Sequence, residues 1–217
     1  MPQLFLDPRN TDFAGTWKPY GPIDRGVREF GFFPDINNWF PGDLLLVSSI
    51  KPRWISSQII KAQERGGYSG KDAIWHHAAL YLGEGSICEA SARGVHVQDM
   101  FSYIGTHLLR LRRDPQLKAD DRYRLAMYAL FRLRQSYSFR TIVQLFFWSF
   151  SGYWKDSEMA VYPFGIGAVI CSELYANAYS MATSKLICNP FPRFVVPAAL
   201  SMTSTLEDVP IRWRKIA

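Results

Sequence analysis

Apolar and polar positions recur along this chain with three different spacings, and each spacing predicts a kind of element. An unbroken apolar run, Leu44-Leu45-Leu46-Val47-Ser48, follows the breaker Pro41-Gly42-Asp43 and reads as a buried strand entered from a turn. Ile55, Ile59, Ile60 and Ala62 then recur at helical spacing with Ser56 placed to cap, which predicts two or three helical turns ending in the Gly66-Gly67-Tyr68-Ser69-Gly70 loop. From Trp75 to Glu89, two apolar β-type runs flank Gly83-Glu84-Gly85 and predict a hairpin. Val95 and Val97, and then Leu109 and Leu111 within 108–113, alternate as further strands, the second with one side in solvent, so the centre of the chain reads as an antiparallel sheet.

The second half turns helical. Asp120-Asp121 opens a run in which Tyr123, Ala126, Met127, Leu130, Leu133 and Tyr137 form a stripe, flanked by Arg122, Arg124, Arg132 and Arg134. Thr141 to Phe150, with Gly152-Tyr153-Trp154 after it, is the most apolar and aromatic part of the chain. Gly165 and Gly167 mark a close turn before a helix that starts at Cys171 and points Leu174, Ala178 and Met181 inward. Residues 1–40 carry Pro, Gly and aromatic residues with little periodicity. They read as an extended N-terminal arm with at most one short strand, held by aromatic packing against a unit formed by residues 41–217.

Composition narrows the class. With 217 residues, 48% of them hydrophobic, the chain can bury one substantial core. The net charge of +6 favours anionic surroundings, but the bases are scattered, so nucleic acid is not expected as a partner. The basic helix and the aromatic run leave an anionic or lipid surface open, and no feature specifies an oligomeric state. Cys88, Cys171 and Cys188 are odd in number and lack metal-ligand spacing, so neither a disulfide framework nor a metal site is expected, no cofactor is called for, and a reducing compartment is the simplest setting. The N-terminus has no basic region followed by a long apolar run, and 141–150 is about half the ~20 residues that span a bilayer. The expectation is a cytoplasmic protein, or one exported without a cleavable signal peptide.

Candidate chemistry sits on the hairpin and on the late helix. Period-two alternation puts His77, Ala79 and Tyr81 on one face and His76, Ala78 and Leu80 on the other. A three-residue loop at 83–85 sets Glu89 opposite Ala79 and diagonal to His77, within reach of its imidazole. A carboxylate there fixes the ring tautomer and favours the imidazolium. Cys171 begins a helix, where free backbone N–H groups and the positive end of the dipole favour a thiolate and can stabilise an oxyanion. His96 and His107 read as surface or edge residues.

Taken together, Gly42-Asp43, His77-Ala78-Ala79-Leu80-Tyr81-Leu82-Gly83, Glu89 and Cys171-Ser172-Glu173-Leu174 resemble the permuted papain-like thiol hydrolases of the NlpC superfamily, especially the YaeF/YiiX group. The match spans about residues 40–180 and extends to the lecithin:retinol acyltransferase relatives, which share the permuted order. The resemblance implies an α+β, circularly permuted papain-like fold, with an antiparallel sheet packed against the helix that carries the nucleophile. It implies Cys171 as nucleophile, His77 as general base and Glu89 as the residue that orients it. Tyr137 resembles a tyrosine that the family often carries before the nucleophile, and it would line the substrate cleft. The aromatic insert from Phe146 to Trp154 and the long N-terminal arm depart from the family's short pattern. The implied activity is cleavage of a peptide or isopeptide-type amide through a thioester. The same residues would also serve a lipid or thioester acyl hydrolase or acyltransferase acting on an acyl-containing substrate. A catalytically silent module that binds a membrane or partner is the third reading, and the intact Cys, His and Glu set argues against it.

Overall fold

The computed structural model describes residues 13–19, 21–137, 170–188 and 195–217. Its elements are β1 (Phe13–Trp17), α1 (Arg25–Phe30), β2 (Phe32–Pro34), β3 (Leu44–Ser49), α2 (Trp54–Arg65), α3 (Gly70–Ala73), β4 (His77–Gly83) and β5 (Ser86–Ser91), then β6 (Gly94–Asp99), β7 (His107–Arg113), α4 (Ala119–Leu130), α5 (Cys171–Thr183), α6 (Pro197–Met202), β8 (Glu207–Val209) and β9 (Trp213–Ile216). The stretch from Thr141 to Trp154, the Gly165 and Gly167 turn and the first twelve residues lie outside the described residues. Among the described residues, no helix is long and apolar enough to cross a membrane.

Six strands form an antiparallel sheet in the order β6-β5-β4-β3-β7-β8, with β3 near its centre. The unbroken apolar run of β3 is explained by burial on both faces. Leu44 and Leu46 pack with Ala78, Leu80 and Cys88 under α4 and α5. Leu45 and Val47 pack with Ala79, Tyr81 and Ile87 under a layer that includes Trp39, Ile211 and Trp213. Antiparallel sheets commonly wet one face; this one is covered on both, so alternation gives way to continuous hydrophobicity.

The second layer is built largely from the two ends of the chain. β9 lies between β1, which it pairs in parallel, and β2, which it pairs antiparallel. Where the sequence suggests an extended arm with at most one short strand, the structure has two strands and the short helix α1. Their partner comes from the far C-terminus, so no local pattern announces the pairing. The aromatics do hold this region, with Trp17 stacked on Phe33 at 4.9 Å and Phe30 edge-on to Trp213 at 5.8 Å.

The hairpin register places Ala79 opposite Glu89, as its pattern predicts, and a bulge between Tyr81 and Gly83 tightens the turn so that Gly83 pairs with Ser86. Gly85 sits at φ +75°, and a Cβ there would come within 2.6 Å of the Phe101 ring.

Four other expectations are corrected. α2 starts at Trp54, directly after the extended Arg53 that follows Pro52, so Ser56 lies inside the first turn and does not cap. On α4 the buried residues are Leu125, Ala126 and Ala129, while Tyr123 is 64% and Leu133 42% exposed. Arg122 is drawn inward by Asp43 (3.3 Å), which turns the buried face away from the predicted stripe and removes Arg122 from the solvated side. On β7 the side expected in solvent is covered: Arg112 is buried and donates to the carbonyls of Leu200, Ser201, Thr203 and Leu206, while Arg110 reaches Asp208 and Ser201. On α5, Leu174 and Ala178 are buried as expected, but Met181 is exposed.

Asp43 ties these pieces together. Fully buried, its carboxylate accepts from Arg113 Nε (2.7 Å) and Nη2 (2.6 Å), from Arg122 and from the Phe40 N–H (2.8 Å). Asp43→Ala leaves two arginines without their shared partner and is expected to destabilise the fold by about 3–5 kcal/mol. Urea unfolding followed by tryptophan fluorescence measures this, and a loss below about 1 kcal/mol would show the arginines re-paired with solvent.

Candidate active site

Residues from three parts of the chain meet where β4, β5 and the start of α5 come together. His77 opens β4, 15% exposed in its side chain, and its Nε2 lies 2.9 Å from Glu89 Oε2 on the neighbouring strand. The alternation that separates His77 from His76 is what turns the ring toward the carboxylate. Cys171 is the first residue of α5, 6% exposed, and stands close enough to His77 for its charge to act on the imidazole.

The helix is held in place at several points. The Tyr175 hydroxyl, one turn after Cys171, donates to Gly42 O at 3.0 Å, and the Gly42 N–H donates to Tyr81 O at 2.8 Å. Ser172 Oγ donates to Val195 O at 2.7 Å, and Tyr179 reaches Asp114 at 2.7 Å. Gly42-Asp43 therefore acts as a joint between the hairpin strand and the cysteine helix.

Glu89 is a carboxylate only 3% exposed, and a charge so buried needs partners. Besides His77 it receives the Tyr103 hydroxyl on Oε2 at 2.6 Å, and His96 Nε2 stands 3.5 Å from Oε1. Gln98 Nε2 donates in turn to the Tyr103 oxygen at 3.2 Å, so a continuous chain of contacts runs from Gln98 through Tyr103, Glu89 and His77 to Cys171.

This arrangement fixes the direction of each titration. Burial alone would lower the His77 pKa, but the Glu89 charge, the Cys171 charge and hydrogen bonds to both outweigh it and hold the imidazole well above its ordinary range. Burial would raise Glu89, and the charge and hydrogen bond of His77, then Tyr103 and His96, hold it below the usual carboxylate range. The pair is thus an imidazolium facing a carboxylate. His76 differs completely: its Nε2 accepts the Ser49 N–H at 2.8 Å, and burial, reinforced by the charges of His77 and His107, lowers it to about 4. It is a neutral acceptor that splices β4 to β3.

Tyr137 is carried to the site by the segment after α4. Arg134 N–H donates to Val95 O and Val95 N–H donates to Gln135 O, both at 2.9 Å. Gly94 permits this approach, because a Cβ there would lie 2.7 Å from Gln135 O. Burial raises the Tyr137 phenol, followed by the charges of Cys171, Glu173 and Glu89, which places it in the field of the same groups.

Three residues near the site escape sequence reasoning. Tyr103 sits in a single 3₁₀ turn at Met100–Tyr103, where no periodicity singles it out. His96 and His107, expected at a surface or edge, both border the site: His96 is on the edge strand β6 with its ring turned to Glu89, and the His107 ring meets Tyr103 edge-on at 4.9 Å. The signal available for His96 was its register opposite Glu89 across β5 and β6.

The chain is thus a mixed α+β protein with a six-stranded antiparallel sheet, bearing a Cys-His-Glu constellation at a helix start. No family model matches the sequence, and no curated protein matches it. Among solved structures, it is similar to the crystal structure of YiiX from Escherichia coli O157:H7, described as a metalloprotein, with a TM-score of 0.56 at 17% identity, covering 80% of this chain and 98% of that one. The likeness is one of fold. Among the described residues, no three His, Cys, Asp or Glu side chains are grouped to hold a metal ion.

The pair can be titrated directly. Because the folded His77 value is raised, its ionisation stabilises the fold fully below the unfolded histidine value of about 6.5, and that contribution is lost as pH rises through the folded value. Glu89→Gln removes the largest attraction, so the His77 imidazole signal in ¹³C or ¹⁵N NMR should titrate at clearly lower pH than in the parent, while His76 stays neutral until near pH 4 in both. An unshifted His77 curve would exclude Glu89 as the source of its elevation.

Proposed function

We propose that this protein is a cysteine hydrolase of permuted papain-like type that cleaves an amide bond through a thioester on Cys171. The observation that carries this reading is the convergence of Glu89, His77 and Cys171, with the carboxylate 2.9 Å from the imidazole and the thiol at the start of a thirteen-residue helix. The fold likeness to YiiX and the order of the motifs, Gly-Asp strand first and cysteine helix last, support the permuted assignment.

In the proposed reaction the Cys171 sulfur attacks the substrate carbonyl carbon and the carbonyl electron pair moves to oxygen, toward backbone N–H groups at the start of α5. Collapse of the tetrahedral intermediate expels the amine, which takes its proton from the His77 imidazolium. Water then gives a proton to the neutral imidazole as it attacks the thioester, and a second collapse releases the acid and restores the thiolate and imidazolium pair. Glu89 holds the ring and stabilises its charged form in both halves, itself held by Tyr103. An ester or thioester acyl donor would follow the same route with a different leaving group.

Intact-mass analysis after mixing with amide, ester and thioester substrates tests this reading, the expected product being an acyl adduct that Cys171→Ala abolishes. His77→Ala is expected to lower turnover by roughly 10³-fold or more. The three thiols give an independent measure. Burial, then the Glu89 charge, pushes Cys88 up to about 12, and burial pushes Cys188 up to about 12, so both stay protonated at neutral pH. Limiting iodoacetamide should therefore modify Cys171 first, as read by peptide mapping. Equal labelling of all three in the folded protein would remove Cys171 from the nucleophile's role.

A further inference from the structure

A cavity of about 880 Å³ opens beside the candidate active site, with Glu89 and Tyr103 in its wall. It meets the contact chain at Gln98, Tyr103 and Glu89, while His77 and Cys171 lie beyond its wall. Three basic residues line it as well: Lys51 and Arg53 come from the turn between β3 and α2, and Arg93 from the turn between β5 and β6. Arg110, Arg112, Arg113, Arg122 and Arg214, elsewhere in the fold, are each committed to carboxylates or carbonyls. Lys51, Arg53 and Arg93 have no carboxylate partner among the described residues. The one acid in the cavity wall, Glu89, is already matched by the His77 imidazolium. Arg53 also precedes α2 without any acid in that helix's first turn, which adds to the positive potential on its side. Hydroxyls of Ser49, Ser56 and Ser102 add neutral hydrogen-bonding groups between the charges.

A cleft with three exposed cations and no opposing free acid concentrates anions, and the focusing is stronger in a recess than on an open surface. We propose that this cavity is an anion subsite, in which Lys51, Arg53 and Arg93 hold a carboxylate or phosphate group of the substrate while its reactive carbonyl is presented to Cys171. The inference rests on the hydrolase reading for the carbonyl, but the anion site itself stands on the cavity alone. It makes the preferred substrate an acyl compound that carries a second, anionic end.

The test has two arms, both on the full chain. In the first, inorganic phosphate and succinate are titrated separately at low ionic strength and followed by calorimetry. Binding should weaken as salt is added, and roughly tenfold or more in Lys51→Ala/Arg53→Ala/Arg93→Ala, but not in Lys185→Ala, an exposed cation elsewhere. Binding of phosphate alone or succinate alone assigns the subsite to that group. Absence of both, or equal affinity in the triple variant, overturns it. In the second arm, succinyl-4-nitroanilide is compared with butyryl-4-nitroanilide, which differs only in a methyl group for the carboxylate. The ratio of their kcat/KM values should favour the succinyl compound and collapse in the triple variant; an unchanged ratio overturns the selectivity. If neither anilide turns over, the amidase reading fails, and the first arm still decides the subsite.

Discussion

A buried carboxylate constrains this molecule more than any other single group. Glu89 is 3% exposed on an inner strand of the six-stranded sheet, where an unpaired charge would cost several kcal/mol. The fold meets that requirement with an imidazolium on one side and a phenol on the other, both directed at the same oxygen. Charging His77 is therefore part of folding as well as of the proposed chemistry. The sheet supplies the geometry: the β4 and β5 register sets His77 diagonal to Glu89, and the β5 and β6 register sets His96 opposite it.

The two adjacent histidines show how strongly one step of the pleat decides chemistry. His77 faces a carboxylate and a thiol and is held charged, whereas His76 faces a backbone N–H and is held neutral. The charge of His77 is itself one reason His76 stays neutral. Two identical side chains one residue apart are thereby divided into a proposed proton carrier and a structural acceptor, because the strand's period of two turns them into different surroundings.

Much of this was legible in the sequence where local spacing controls the outcome. The hairpin register, the placement of His77 with Glu89 and the helix beginning at Cys171 all follow from periods of two and 3.6 with glycines at the turns. What was not legible depends on distant partners. β1 and β2 are joined through β9 across nearly the whole chain, so residues 1–40 look patternless in isolation. The buried face of α4 is rotated by an ion pair to Asp43, which hydrophobic spacing does not count. Arg110 and Arg112 look like the wet side of a strand until α6 and its carbonyls cover them. Tyr103 sits in one irregular turn, where its hydroxyl, rather than any apolar stripe, gives it a role.

The positive charge of the chain divides along the same line. Read as a total, +6 says little beyond a preference for anions. Read residue by residue, several arginines are structural: Arg113 and Arg122 neutralise Asp43, Arg110 pairs with Asp208, Arg112 gathers the carbonyls at the end of α6, and Arg214 pairs with Asp35. Each of these is partly or wholly buried, where replacing an arginine would leave an acid or a set of carbonyls unsatisfied. Lys51, Arg53 and Arg93 are exposed and bound to none of those structural acids, yet they share one cavity wall with Glu89 and Tyr103. Structural need accounts for the first group of cations and not for the second, and that difference directs attention from the net charge of the chain to the recess beside His77.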